Sequence, residues 1–284
     1  GYTLHWSFTP TINAPPSIPS TAPFIPGNAS RSTSGGLYFP ASDGSSGRFL
    51  TFPFEIQYRG HVDKGHLYAT DGTTRTVNEI DMNTGAYGAI STVTSGVTPA
   101  SLTQNPASGT IYLGSTSNAS LYSLTVSNGF ASLIGGFGDG SILMHGLEFV
   151  EGSNTLYGVS SHNGGLYSIN QVTGAATLRG LTGVPGFLSL GYDNRRGIMY
   201  GTSSSTDSLY TVNGTTGAFT LVGPLNNPIN PAGMAYNWQT DTMYVIDNIA
   251  DTLYKVNLAT GQATEFANLS GTNMIGLVYA GPPT

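Results

Sequence analysis

One tyrosine returns at Tyr68, Tyr112, Tyr157, Tyr200 and Tyr244, at intervals of 44, 45, 43 and 44 residues. A second returns at Tyr122, Tyr167, Tyr210 and Tyr254, and a glycine at Gly85, Gly129, Gly174, Gly217 and Gly261, on the same period. Three registers that keep one interval mark an internal repeat. A repeat of this length is one supersecondary unit whose apolar face is buried only by stacking on its neighbours.

The copy around Tyr157 reads as an apolar strand Thr155-Leu156-Tyr157-Gly158-Val159, a polar turn, a second strand Leu166-Tyr167-Ser168-Ile169, and a Thr173-Gly174 turn. A third strand has the form Ala218-Phe219-Thr220-Leu221-Val222 and a fourth the form Leu188-Ser189-Leu190-Gly191-Tyr192, with counterparts at 233–236 and 276–279. Short strands rich in Tyr, Leu, Val and Thr, joined by Gly and Asn turns, make one four-stranded blade. The chain is therefore predicted to be an all-β β-propeller with five recognisable four-strand repeats over residues 37–284. The Leu-Tyr positions are expected to pack between blades, and the glycines of the fourth strand to lie at the crowded axis.

Blade number depends on where residues 274–280 pair. If they join 65–93, the ring closes at five blades; if 48–58 is the inner strand of the first blade, 274–280 plus 37–42 build a sixth. The sequence favours six, because Phe49 to Tyr58 reads as extended chain turning back at Gly60 and Gly65 into Leu67-Tyr68, although Pro53 interrupts that run.

The pattern Leu-Tyr, Leu-Tyr-x-Val-Asn, Thr-Gly, Thr-Leu-Val-Gly resembles the extracellular propeller repeats of bacterial surface and secreted proteins, over residues 65–280. The resemblance implies the fold and an extracellular or cell-surface location. It transfers no catalytic residue, because such repeats carry many activities.

Charge removes several partners. Only 8% of residues are charged, and nine Lys+Arg stand against fifteen Asp+Glu for a net charge of −6, where an average soluble protein has about 25% charged residues. No basic stripe is present to release counterions from phosphate, so nucleic acid is not expected as a partner. No apolar run reaches the roughly 18 residues of a membrane helix, so membrane insertion is not expected. The chain has no cysteine, which excludes disulfides and thiolate metal sites. No cofactor or metal is expected. The start at Gly1 rather than Met reads as a mature, exported product.

Ahead of the repeats lies an arm, residues 1–36. Residues 1–9 alternate strictly, placing Tyr2, Leu4, Trp6 and Phe8 on one face of a strand. Burying such side chains is worth roughly 1.5–3 kcal/mol each before ordering entropy is subtracted. Pro10, Pro15, Pro16, Pro19, Pro23 and Pro26 then make a polyproline-like spacer. An alternating strand on a proline spacer is expected to add to an open sheet edge, either on another copy of the protein or on its own. Donor and acceptor surfaces differ, so pairing between copies gives a ring or a filament. The leading functional expectation is thus a structural subunit of an extracellular filament or surface assembly whose partner is itself.

A carbohydrate-binding propeller is the alternative, since Tyr, Asn and Asp recur near blade loops and sugar sites combine aromatic faces with amides and carboxylates. The third reading is an enzyme working in the axial channel through His145 and Glu148, which sit on one strand where later repeats carry Gly191, Ala235 or Val278 in place of the Glu. No third His or carboxylate joins them, so the chain is expected not to be an enzyme. Glycan acceptor sequons occur at Asn28, Asn118, Asn213 and Asn268, about as many as the Asn, Ser and Thr content yields by chance.

Overall fold

The computed structural model describes residues 34–39, 48–53, 65–227 and 230–281. Tyr2, Leu4, Trp6, Phe8, the proline-rich spacer and Asn28 lie outside the described residues. The chain divides into two units, residues 1–62 and 63–284. The first contains one antiparallel pair, β1 (Ser34–Phe39) with β2 (Arg48–Pro53).

The second unit holds twenty strands among the described residues. In chain order they are β3 (His66–Asp71), β4 (Thr76–Ile80), β5 (Tyr87–Thr92), β6 (Pro99–Asn105), β7 (Thr110–Ser115), β8 (Ser120–Thr125), β9 (Phe130–Gly136) and β10 (Met144–Val150). After a single 3-10 turn, Glu151–Ser153, follow β11 (Thr155–Ser160), β12 (Gly165–Ile169), β13 (Ala176–Leu181), β14 (Leu188–Asp193), β15 (Ile198–Ser203) and β16 (Ser208–Val212). The series ends with β17 (Phe219–Pro224), β18 (Pro231–Asn237), β19 (Thr242–Asp247), β20 (Thr252–Val256), β21 (Ala263–Asn268) and β22 (Met274–Ala280).

These strands form five antiparallel four-stranded sheets. Their orders are β22-β3-β4-β5, β6-β7-β8-β9, β10-β11-β12-β13, β14-β15-β16-β17 and β18-β19-β20-β21. The molecule is a five-bladed propeller, and the expectation of six blades is corrected. Residues 48–53 pair with 34–39 instead of heading a blade, and β22 supplies the inner strand of the first blade. The fourth strand of each sequence repeat is accordingly the inner strand of the following blade.

The repeated tyrosines hold one structural register. Tyr68, Tyr112, Tyr157, Tyr200 and Tyr244 lie opposite Val278, Thr103, Glu148, Gly191 and Ala235 of the inner strands. All nine repeat tyrosines are buried, as inter-blade packing requires. The core consists of five apolar layers, each shared by two neighbouring blades; one joins Leu67, Ala69 and Leu277 of the first blade to Tyr244, Ile246 and Leu253 of the last.

The Thr-Gly turn has a second task besides reversing the chain. Asn213 Oδ1 accepts the amides of Thr215 and Thr216, and Gly217 closes the turn at φ 79°, a region that favours glycine. The turn then butts against the outer strand of the preceding blade. A Cβ on Gly180 would stand 1.9 Å from Thr216 O, so the glycine in β13 is what lets the next blade approach. At the axis the same economy holds: a Cβ on Gly146 would lie 2.9 Å from Leu190 N on the adjacent inner strand, as expected for converging strands.

Candidate functional site

Five inner strands enclose the axis, and each end of it carries a small cavity. His145 and Glu148, both on β10, do not share one. A register shift between Met144 and Gly146 makes His145 the extra residue of a β-bulge, while Glu148 lies in the regular ladder opposite Tyr157. His145 lines a cavity of about 10 Å³ at one end, with Ser101, Ser189 and Gly233. Glu148 lines a cavity of about 40 Å³ at the other. By the space one water needs, these hold about one and about three waters.

His145 is committed to local contacts. Its Nδ1 lies 3.2 Å from Leu143 O and also meets Ser161 Oγ, while Phe187 packs against the ring at 4.9 Å between centroids and an interplanar angle of 81°. A carbonyl only accepts, so Nδ1 carries the proton and donates. Burial holds the imidazole below its usual pKa, which keeps it neutral. Ser161 thus faces a donor N–H instead of a base, and the pair is not an activated nucleophile.

At the other end Glu148 Oε1 accepts from Thr103 Oγ1 at 3.1 Å and from the Phe149 amide at 2.9 Å. Burial pushes its carboxyl up to about 8, against the pull of those bonds and of the Tyr192 backbone, and the charge of Glu151 adds to the rise. Glu148 keeps part of its surface on the cavity while protein surrounds it. Tyr192, Trp238, Tyr279, Glu151 and Asn194 line the same cavity. Asn194 Nδ2 donates to Glu151 Oε2 at 3.1 Å, which fixes the amide's orientation, because the flipped form would set oxygen against carboxylate. Asn194 Oδ1 is buried and has no hydrogen-bond partner among the described residues. No Lys, Arg or His lines the cavity.

Sequence reasoning singled out Glu148 and missed Glu151, Tyr192, Asn194 and Trp238. What Glu151, Asn194 and Trp238 share is a place in the repeat, not a residue type. Pro106, Glu151, Asn194, Trp238 and Gly281 each follow an inner strand at the same register, and the first four of that column line the cavity.

The remaining candidates are placed as follows. Asn118, Asn213 and Asn268 are exposed; Asn118 Nδ2 donates to Tyr122 Oη, and Asn213 and Asn268 cap turns through Oδ1. Asp and Asn residues that motivated a sugar site, such as Asp71, Asp81, Asn170 and Asp247, likewise accept turn amides. Among the described residues no group of three or more His, Cys, Asp or Glu stands ready to hold a metal.

Outside the axis, the outer edges of the blades stand out. β9 pairs only with β8, and its free edge bears no charged residue and no proline in Phe130-Ala131-Ser132-Leu133-Ile134-Gly135-Gly136. Phe130 is 57% exposed and Leu133 is 60% exposed. A register shift opposite Leu121/Tyr122 interrupts the ladder, which resumes at Gly135 and Gly136, and leaves Phe130 to Leu133 as its longest unshifted part.

Comparison with known proteins agrees with the fold. No family model matches the chain, and no curated protein matches it. Among solved structures, one in the crystal structure of a nidogen/laminin complex overlays with TM-score 0.54 at 14% identity, covering 76% of this chain and 98% of that one. A Bacteroides thetaiotaomicron protein of unknown function gives TM-score 0.56 at 15% identity, covering 77% of this chain and 62% of the other. At these identities the likeness is one of fold, and it places the chain among β-propeller proteins. The resemblance to extracellular bacterial repeats stands at that coarser level. Virginiamycin B lyase from Staphylococcus aureus also matches, at TM-score 0.47 and 12% identity, over 73% of this chain and 71% of that one. The expectation that the chain is not an enzyme is therefore withdrawn: the matched propellers include a lyase, and the missing third His or carboxylate gives no ground for excluding catalysis. That match assigns no reaction to this chain.

Proposed function

We propose that this propeller is a self-assembling subunit of an extracellular or cell-surface structure, in which residues 1–9 of one copy add as a strand to the outer edge of β9 on another. One observation carries the reading: β9 offers an open ladder edge with exposed Phe130 and Leu133 and none of the charges or prolines that usually blunt such edges. Of the other outer strands, β5 also lacks charge and proline but exposes less apolar surface, with Tyr87 at 37% and Ile90 at 39%. β13 carries Arg179, β17 ends in Pro224, and β21 carries Glu265.

The donor fits chemically. In an extended segment Tyr2, Leu4, Trp6 and Phe8 would share one face; Phe130 and Leu133 stand on opposite faces of β9, so one of them meets that face while backbone hydrogen bonds along the edge supply the ladder. Neither segment contains Lys, Arg, Asp or Glu, so no like-charge repulsion opposes the pairing.

Hydrogen exchange tests the contact. A synthetic peptide of residues 1–9 is added to a chain lacking them, and amide protection is read strand by strand. Protection gained in β9 and in no other outer strand is the expected result. Unchanged β9 exchange at saturating peptide rejects the reading.

A further inference from the structure

We propose that the axial cavity lined by Glu148 and Asn194 is a binding site for a primary ammonium group on an alkyl stem, packed against Tyr192, Trp238 and Tyr279. This site is separate from the outer edge that serves assembly.

One acceptor among the lining residues is unmet. Asn194 Oδ1 is buried without a donor, a loss that costs about 1–3 kcal/mol for a buried polar group. Glu148 sits in the same cavity, with two neutral donors on Oε1. Glu151 lies close enough to act on Glu148 through its charge. The cavity thus gathers acceptors and lacks a cation, since none of its lining residues is Lys, Arg or His. An ammonium brings three donors and no acceptor, which is the complement of that set.

Size and lining then narrow the class. A cavity with room for about three waters suits a compact head group. Tyr192, Trp238 and Tyr279 also line the cavity; methylene groups pack against aromatic rings, and a cation is attracted to their faces. Burial keeps the Glu148 carboxyl protonated at neutral pH, so entry of the ammonium exchanges with that proton: the O–H bond of the acid breaks, the proton leaves to solvent, and the carboxylate pairs with the ammonium. Besides Glu148, the titratable groups lining the cavity are Glu151, Tyr192, Tyr236 and Tyr279.

Calorimetric titration of the full chain at pH 8 with butylamine, butanol and calcium chloride tests the assignment. Butylamine is expected to bind at least tenfold more tightly than butanol, and Glu148→Gln and Asn194→Ala are each expected to weaken it at least tenfold while melting cooperatively. The peptide acetyl-Gly-Lys-Gly-amide separates the two sources of the group: its binding assigns a lysine side chain of a polypeptide, and binding of butylamine alone assigns a small free amine. Equal binding of butanol, preference for calcium, no binding of either amine, or full affinity in a folded Glu148→Gln protein overturns the proposal.

Discussion

Val278 lies opposite Tyr68 in the antiparallel ladder between β22 and β3, so the first blade takes its inner strand from residues 274–280. Closing the ring this way makes the first blade depend on a contact of very long sequence separation. Leu277, 1% exposed, is at the centre of the seam. Leu277→Ala is expected to destabilise the protein by about 2–5 kcal/mol. Ending the chain at residue 273 should abolish the single cooperative transition in urea; a truncated protein that unfolds with the same midpoint and steepness contradicts closure by β22.

Glu148 gives the fold a pH dependence of unusual sign. Its carboxyl titrates near 8 when folded, against an ordinary value of 4.5, so the folded state holds a proton that the unfolded chain has released between those values. Stability therefore falls as pH rises from about 4.5 to 8, by up to about 1.4 kcal/mol per unit, and stays at the reduced level above. Glu148→Gln is expected to flatten that slope and to melt higher than the native protein at pH 8. Parallel slopes in the two proteins, read from melting curves at pH 5 and pH 8, count against a buried acid.

The contact between Gly180 and the Thr216-Gly217 turn is backbone against backbone, with no flexible side chain to yield. Gly180→Ala should cost about 1–3 kcal/mol as the two blades are forced apart. Gly88 on β5 is the control, because a Cβ there meets nothing within 4 Å; Gly88→Ala should be neutral or slightly stabilising. Equal melting temperatures for the two variants remove this account of blade spacing.

Arg196 joins the last two blades. Its guanidinium reaches Asp241 at 2.7 and 2.8 Å and Asp193 at 2.6 Å, and Tyr236 Oη donates to Asp241 at 2.6 Å. Arg196 and Tyr236 hold the Asp241 carboxyl below its ordinary range, so its contribution to stability is present above about pH 4 and is lost as pH falls. A single ammonium lacks the fork that serves both carboxylates. Arg196→Lys is expected to lower the melting temperature at pH 7 and to reduce the loss on acidification; an unchanged acid limb rejects the pairing.

The blade was legible in the sequence because each strand contributes the same few side chains at the same register: Tyr157, Tyr200 and Tyr244 occupy equivalent places in three dimensions as they do in the alignment. Blade number was not, because the strand around Phe49 and the strand around Leu277 are both extended and apolar, and only pairing distinguishes a hairpin partner from a ring closure. Glu148 was visible as a departure from its column of Gly191, Ala235 and Val278. Its neighbours Glu151, Asn194 and Trp238 were not, since a loop position that differs in every repeat carries no periodic signal. Their common place after the inner strands emerges once the registers are known. The separation of His145 from Glu148 was not legible, because a β-bulge between Met144 and Gly146 breaks the alternation that would relate the two positions.

Assembly through the arm is tested most directly by sedimentation velocity of the full chain and of the chain lacking residues 1–9, at matched concentrations. The full chain is expected to sediment as concentration-dependent oligomers, and the shortened chain, like Leu133→Lys in the full chain, as a single species of monomer mass. Identical distributions for all three proteins would contradict strand addition between copies, whether the chain is monomeric because the arm serves its own subunit or associates through some other surface.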